Sequence, residues 1–166
     1  MSGEMAVQLL QWCKQHRIAV VVDGGWGVDA LLGKQTRSHR DLDLALEHKD
    51  ALQLRTLLAT HGYREVPRVG SWEHNFVLGN GLGHEVDVHT YTCDAHGTPV
   101  SGVVYPAASL TGRGSIQGYP VNCIEPEWQV RFHSGYKLDE DDYRDIRALC
   151  EHFDLALPTG YERFVP

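Results

Sequence analysis

Two aspartates separated by one leucine, preceded at short range by a double glycine, constrain this chain more than any other feature. The segment Asp23-Gly24-Gly25-Trp26-Gly27-Val28-Asp29-Ala30-Leu31-Leu32-Gly33 is followed closely by His39-Arg40-Asp41-Leu42-Asp43-Leu44. On an extended strand successive side chains alternate, so Asp41 and Asp43 project one way while Leu42, Leu44 and Leu46 project into a core. Carboxylates sharing that space raise each other's pKa unless a positive charge lies between them, and oxygen ligands at this spacing suit a hard divalent cation such as Mg²⁺. Upstream, residues 18–22 read as a buried strand. Gly24 and Gly25 open a short amphipathic helix that Gly33 closes as its C′ residue. Glycines at that helix start let backbone N–H groups approach an anion at the positive end of the helix. Asp-Leu-Asp alone is better read as the solvated face of an edge strand. Its coupling to the glycine pair favours a site for a metal-bound polyphosphate.

Around this core the chain alternates helical and strand signals. Residues 5–15 carry Val7, Leu9, Leu10 and Trp12 on one face of a surface helix. Residues 49–61 place Leu52, Leu54, Leu57 and Leu58 near helical spacing, with Gly62 as the stop, so the chain begins βαβα after its first helix. Strands are predicted at 72–78 and 84–92 around the glycine-rich turn 79–83, and a smaller hairpin at 115–117 and 119–124 turns at Gly118. Glu125-Pro126-Glu127 starts a helix. Leu138 to Asp142 starts another, with Tyr143, Ile146, Leu149, Cys150 and Phe153 as its buried stripe. Residues 158–166 read as a loosely held tail.

With 166 residues and 42% hydrophobic content, the chain supports one real core, so residues 1–166 are expected to form a single domain. A net charge of −7 argues against a nucleic-acid partner, which needs clustered Lys and Arg. Cys13, Cys93, Cys123 and Cys150 are far apart and form no C-x-x-C motif, as expected of reduced thiols in a cytoplasmic protein. No stretch approaches the roughly 20 apolar residues of a membrane span, and residues 1–17 do not read as a secretory leader.

The third acid is Asp87, in Glu85-Val86-Asp87-Val88-His89, where alternation puts Glu85, Asp87 and His89 on one face. The glycine pair, the Asp-x-Asp strand and this later strand carboxylate resemble the nucleotidyltransferase superfamily that includes DNA polymerase β. Within it, Asp23 to Asp29, His39 to Asp43, Val86 to His89 and Phe132-His133-Ser134-Gly135-Tyr136 resemble the small lincosamide nucleotidyltransferases, relatives of the aminoglycoside 2″-adenylyltransferases. The resemblance covers roughly residues 20–153.

The resemblance implies an α+β fold, a polymerase-β-like nucleotidyltransferase core with a mixed sheet flanked by helices and with C-terminal helices. It implies an Mg²⁺-dependent enzyme that transfers AMP from ATP to a lincosamide hydroxyl and works as a homodimer. Asp41, Asp43 and Asp87 become the catalytic and metal-binding acids, with Asp87 either accepting the acceptor's proton or holding a second metal. Gly24, Gly25, Arg40, Tyr136 and Lys137 are candidate nucleotide contacts, and Glu85 and His89 candidate substrate contacts. Arg40 suits an ion pair as well as a phosphate, and Gly135 at a helix end accounts for the 132–137 segment as an interhelical turn. Arg37 and His39 are weaker candidates, and Asp29 is expected to anchor its loop. Trp72, Tyr91, Tyr105 and Tyr119 suit either a drug surface or the core. The rival readings are an aminoglycoside acceptor, for which a more acidic substrate face is expected, and a nucleotidyltransferase-fold module such as an antitoxin.

Overall fold

The computed structural model of the protein describes residues 1–133, 138–161 and 164. Helix α1 (Gly3–Gln15) is capped by the Ser2 hydroxyl, which accepts the Met5 N–H, and it buries Ala6, Leu9, Leu10 and Cys13. The chain passes through a two-residue strand β1 (Val21–Val22) into α2 (Gly24–Leu32), which Gly33 ends in a left-handed conformation as its pattern predicts. Strand β2 (Asp41–Glu47) and α3 (Ala51–Thr60) follow. Strands β3 (Arg64–Val66), β4 (Asn75–Gly79), β5 (Glu85–Cys93) and β6 (Pro99–Gly102) come next, then the hairpin β7 (Gly112–Ile116) and β8 (Tyr119–Cys123). Helices α4 (Pro126–Phe132) and α5 (Glu140–Phe153) complete the order. Pro126 sits in the first turn of α4 behind the Glu125 cap, and Asp139 with Asp142 forms a capping box at the start of α5.

The strands form one mixed sheet in the order β3-β4-β5-β2-β1-β8-β7, with β6 pairing on β5. The expected βαβα opening is present, but β1 and β2 pair antiparallel, while β2 runs parallel to β5. The aspartate strand therefore lies in the middle of the sheet, where both its neighbours are strands and an edge position is ruled out. Leu42, Leu44 and Leu46 are 0–1% exposed and face the main core beside α1, α3 and Trp26. On the opposite face Ala45 joins Val21, Tyr105 and Ile124 in a small cluster, and α2 and α5 close a separate core around Val28, Ile146 and Leu149.

Several expectations are corrected. The strand expected over 18–22 is only Val21–Val22, and β3 and β6 are additional short strands. Leu52 is 74% exposed and falls off the stripe of α3. The tail is not loose throughout: Tyr161 is fully buried and its hydroxyl donates to His133 O at 2.6 Å.

Candidate active site

Parallel register sets Asp43 opposite Asp87 and Asp41 opposite Glu85, so Asp41, Asp43, Glu85 and Asp87 emerge on one face of the central strand pair. Alternation within each strand supplied the common face, and the pairing of β2 with β5 supplied the proximity. A fifth acid joins them. Asp23 caps α2: its Oδ1 accepts the Gly24 N–H at 2.8 Å, while its Oδ2 accepts the Tyr105 hydroxyl at 2.6 Å. The start of α2 is thus met by a carboxylate of its own chain. Burial first, then the charges of Asp41, Asp23 and Asp87, push the Asp43 carboxyl well above the usual carboxylate range. Burial also raises Asp87; His89 opposes that rise and Asp41 adds to it.

Gly24 occupies a left-handed conformation (φ +57°), and a Cβ there would stand 2.2 Å from Asp43 Oδ2. Only a glycine lets the backbone of α2 approach the acids this closely. Gly25 is hemmed in by Arg37 Nη2 and His39 Nδ1, each 2.6 Å from where its Cβ would be, so packing beneath the 34–40 loop already accounts for this glycine.

That loop is tied down from both sides. Asp29 Oδ1 accepts the Thr36 N–H and hydroxyl, and Asp29 Oδ2 pairs with His39 Nε2 in a buried contact, so Asp29 anchors the loop as expected. Arg37 donates three bonds of 2.7–3.1 Å to the Asp145 carboxylate on α5. Arg37 and His39 therefore hold the segment that leads into Asp41, and their own groups are committed away from the acids. Trp26 is buried against His39, which makes it a packing residue.

Two clefts flank the acids. One, of about 330 Å³, is lined by Asp23, Gly24, Asp43, His89, Val103, Val104, Tyr105, Phe132 and His133. The other, of about 530 Å³, is lined by Arg40, Asp41, Glu85, Asp87, Arg68 and the 69–71 loop, with Asn75 and Val77 behind. Glu85 and His89, both candidate substrate contacts on one strand face, open onto different clefts. Arg40 is exposed beside Asp41 and Asp87 and forms no ion pair with a carboxylate among the described residues, which leaves its guanidinium available to an anion. Tyr136 and Lys137 lie outside the described residues. A further cleft of about 420 Å³ between α1 and β8 contains none of the acids.

The donor set fits a hard cation. It is made of carboxylate oxygens, and Asp87 Oδ1 is buried without a hydrogen-bond partner, with His89 Nε2 3.5 Å away. Among the described residues no group of three or more His, Cys, Asp or Glu side chains is placed to hold a metal ion by itself.

The sequence assigned no role to Asp23, Phe132 or Arg68, and offered Tyr105 only as drug surface or core. Asp23 lay within the glycine motif itself. Nothing local tied Tyr105 to the acids: it is buried, its hydroxyl proton goes to Asp23, and its oxygen lies 3.3 Å from His89 Nδ1.

A family model of aminoglycoside-2″-adenylyltransferases matches residues 6–149. A lincosamide resistance protein of Staphylococcus haemolyticus is 30% identical over 151 residues, 85% of this chain and 89% of that protein. The lincomycin-bound crystal structure of the lincosamide antibiotic adenylyltransferase LnuA superposes with a TM-score of 0.78 at 26% identity, covering 90% of this chain and 96% of that one. The crystal structure of ANT(2″)-Ia with adenylyl-2″-tobramycin has a TM-score of 0.74 at 19% identity over 91% of this chain and 88% of that one, a likeness of fold. The α+β nucleotidyltransferase fold expected from the resemblance is the fold found. With five acids gathered between two clefts on that fold, this chain belongs to the aminoglycoside-2″-adenylyltransferase family of nucleotidyltransferases, which use a nucleoside triphosphate as co-substrate.

Proposed function

We propose that the protein inactivates lincosamide antibiotics such as lincomycin and clindamycin by transferring AMP from ATP to a hydroxyl, releasing pyrophosphate. The observation that carries the reading is the gathering of Asp41, Asp43 and Asp87 on one sheet face between two clefts, so that a nucleotide and an acceptor can meet from opposite sides. The lincosamide is argued from relatedness to the staphylococcal resistance protein and to lincomycin-bound LnuA.

Nucleotidyl transfer needs a hydroxyl in line with the departing pyrophosphate, and the enzyme supplies position and charge neutralisation. Asp41 and Asp43 would hold Mg²⁺, which when bound offsets the charge of the triphosphate and of the leaving pyrophosphate. One or two protein carboxylates suffice for Mg²⁺, because phosphate oxygens and water fill its remaining positions. Gly24 keeps the smaller cleft open to a triphosphate beside Asp43, and Arg40 approaches the phosphates from the larger cleft. The acceptor occupies that larger cleft, with Glu85 in its wall. Asp87 takes the proton of the attacking hydroxyl as the oxygen bonds to the α-phosphorus and the bond to pyrophosphate breaks. Burial supports this role by raising its carboxyl towards a range suited to a base.

We also read residues 1–166 as one domain built on the single sheet. The enzyme would work in the cytoplasm, where ATP is supplied and Cys13, Cys93, Cys123 and Cys150 stay unpaired. A homodimer follows from the family resemblance. The family model favours an aminoglycoside acceptor as the second reading. Incubation with Mg²⁺ and ATP, separately with lincomycin, clindamycin and kanamycin-type aminoglycosides, followed by mass spectrometry, tests the choice. An AMP adduct on a lincosamide is expected; an adduct on the aminoglycoside alone moves the acceptor to the sister class.

A further inference from the structure

The wall of the larger cleft contains an ion pair that the reaction does not require. Arg68, in the loop between β3 and β4, places its Nη2 directly on Glu85 Oε1. Both side chains reach solvent, at 51% and 32% exposure. An exposed pair of this kind adds only about 0–1 kcal/mol to stability. Its effect on what enters the cleft is larger, because a guanidinium there repels any cation within a Debye length. Glu85 stands opposite Asp41 in register and two residues from Asp87, so it is the acid best placed to receive an ammonium group of an acceptor whose hydroxyl reaches Asp87. With Arg68 and Arg40 in the same wall, two guanidiniums offset the three carboxylates Asp41, Glu85 and Asp87.

We propose that Arg68 determines acceptor specificity: held on Glu85 in the wall that Asp87 also lines, it occupies the carboxylate that an ammonium-rich acceptor needs and so selects acceptors of low positive charge. A molecule with one basic amine and an apolar body enters at little electrostatic cost, and it meets Val69, which is fully exposed in the Arg68 loop. A polycationic molecule must displace Arg68 or pack its charges against it. Discrimination then comes from a repulsive element as much as from contacts to the preferred acceptor. The inference rests on reading the larger cleft as the acceptor's.

Calorimetric titration of the whole protein with tobramycin and with lincomycin tests it, using wild type, R68Q, R68K and the double variant R68Q/E85Q. R68Q should bind tobramycin at least tenfold more tightly than wild type and change lincomycin affinity less than threefold. R68K should behave as wild type, and adding E85Q should abolish the gain. Unchanged tobramycin affinity in R68Q overturns the proposal. So does an equal gain for both ligands, which would make Arg68 a steric obstruction, or a gain that survives in R68Q/E85Q. Adenylyl transfer by the wild type is assayed separately: if it modifies no lincosamide, the proposed function fails, while the tobramycin-to-lincomycin affinity ratio still reports on Arg68.

Discussion

Asp43 on β2 and Asp87 on β5 stand at facing positions of a parallel strand pair, two carboxylates brought side by side at the centre of the sheet. Burial raises both carboxyls above their ordinary range; the charges of Asp41, Asp23 and Asp87 add to the rise at Asp43, while at Asp87 His89 opposes the rise and Asp41 and Glu85 add to it. A carboxyl whose folded pKa is raised binds protons more readily in the folded state. It therefore costs stability as pH climbs from the ordinary carboxylate range through the raised value.

Asp43→Asn removes one of these charges. Without metal, the variant should be more stable than wild type at pH 7–8, and the difference should vanish below about pH 4, where the unfolded carboxyl is also protonated. Each 1 kcal/mol of relieved repulsion raises Tm by about 2–4 °C in a chain of this size. Thermal scans across pH read this directly. Mg²⁺ should raise the Tm of the wild type and leave that of Asp43→Asn nearly unmoved, while transfer activity falls at least ~100-fold.

Asp87→Asn keeps the shape and removes the base. Transfer should fall by roughly 10²–10⁴-fold in kcat, the range typical of general base catalysis, while affinity for a non-hydrolysable ATP analogue changes little. Single-turnover kinetics with a parallel binding titration separates the two. An equal loss of nucleotide affinity would instead assign Asp87 to metal binding.

Gly24→Ala forces a Cβ to within 2.2 Å of Asp43 Oδ2 at a left-handed backbone position. The conformation alone costs about 1–2 kcal/mol, and relief of the clash must move Asp43. The expected result is near-complete loss of transfer with only a moderate drop in Tm. Activity close to wild type would show that the approach of α2 to the acids is not needed.

Arg37→Ala leaves Asp145 buried on α5 without its three hydrogen bonds. Breaking a buried pair from one side costs about 3–5 kcal/mol, and Arg37 is partly exposed, so the lower end is expected. Urea unfolding should show the loss at neutral pH. Protonating Asp145 should shrink it, because burial already raises that carboxyl despite the pull of Arg37.

Local chemistry in the chain was enough to determine much of this protein. Alternation alone set Asp41 and Asp43 against Leu42, Leu44 and Leu46, and cap residues located helix ends at Gly33, Pro126 and Asp139. These properties depend on residues two to four apart, so they can be read in order along the chain. Strands of two to four residues, such as β1, β3 and β6, are too short to show a period. The tertiary structure decided which distant groups meet. It put β5 beside β2, so that Asp87 joins the acids; it bonded Tyr105 to Asp23, Arg37 to Asp145 and Arg68 to Glu85. None of these pairs follows from spacing, because strand order and loop path are chosen by the burial of the whole sheet and helix assembly rather than by any one segment.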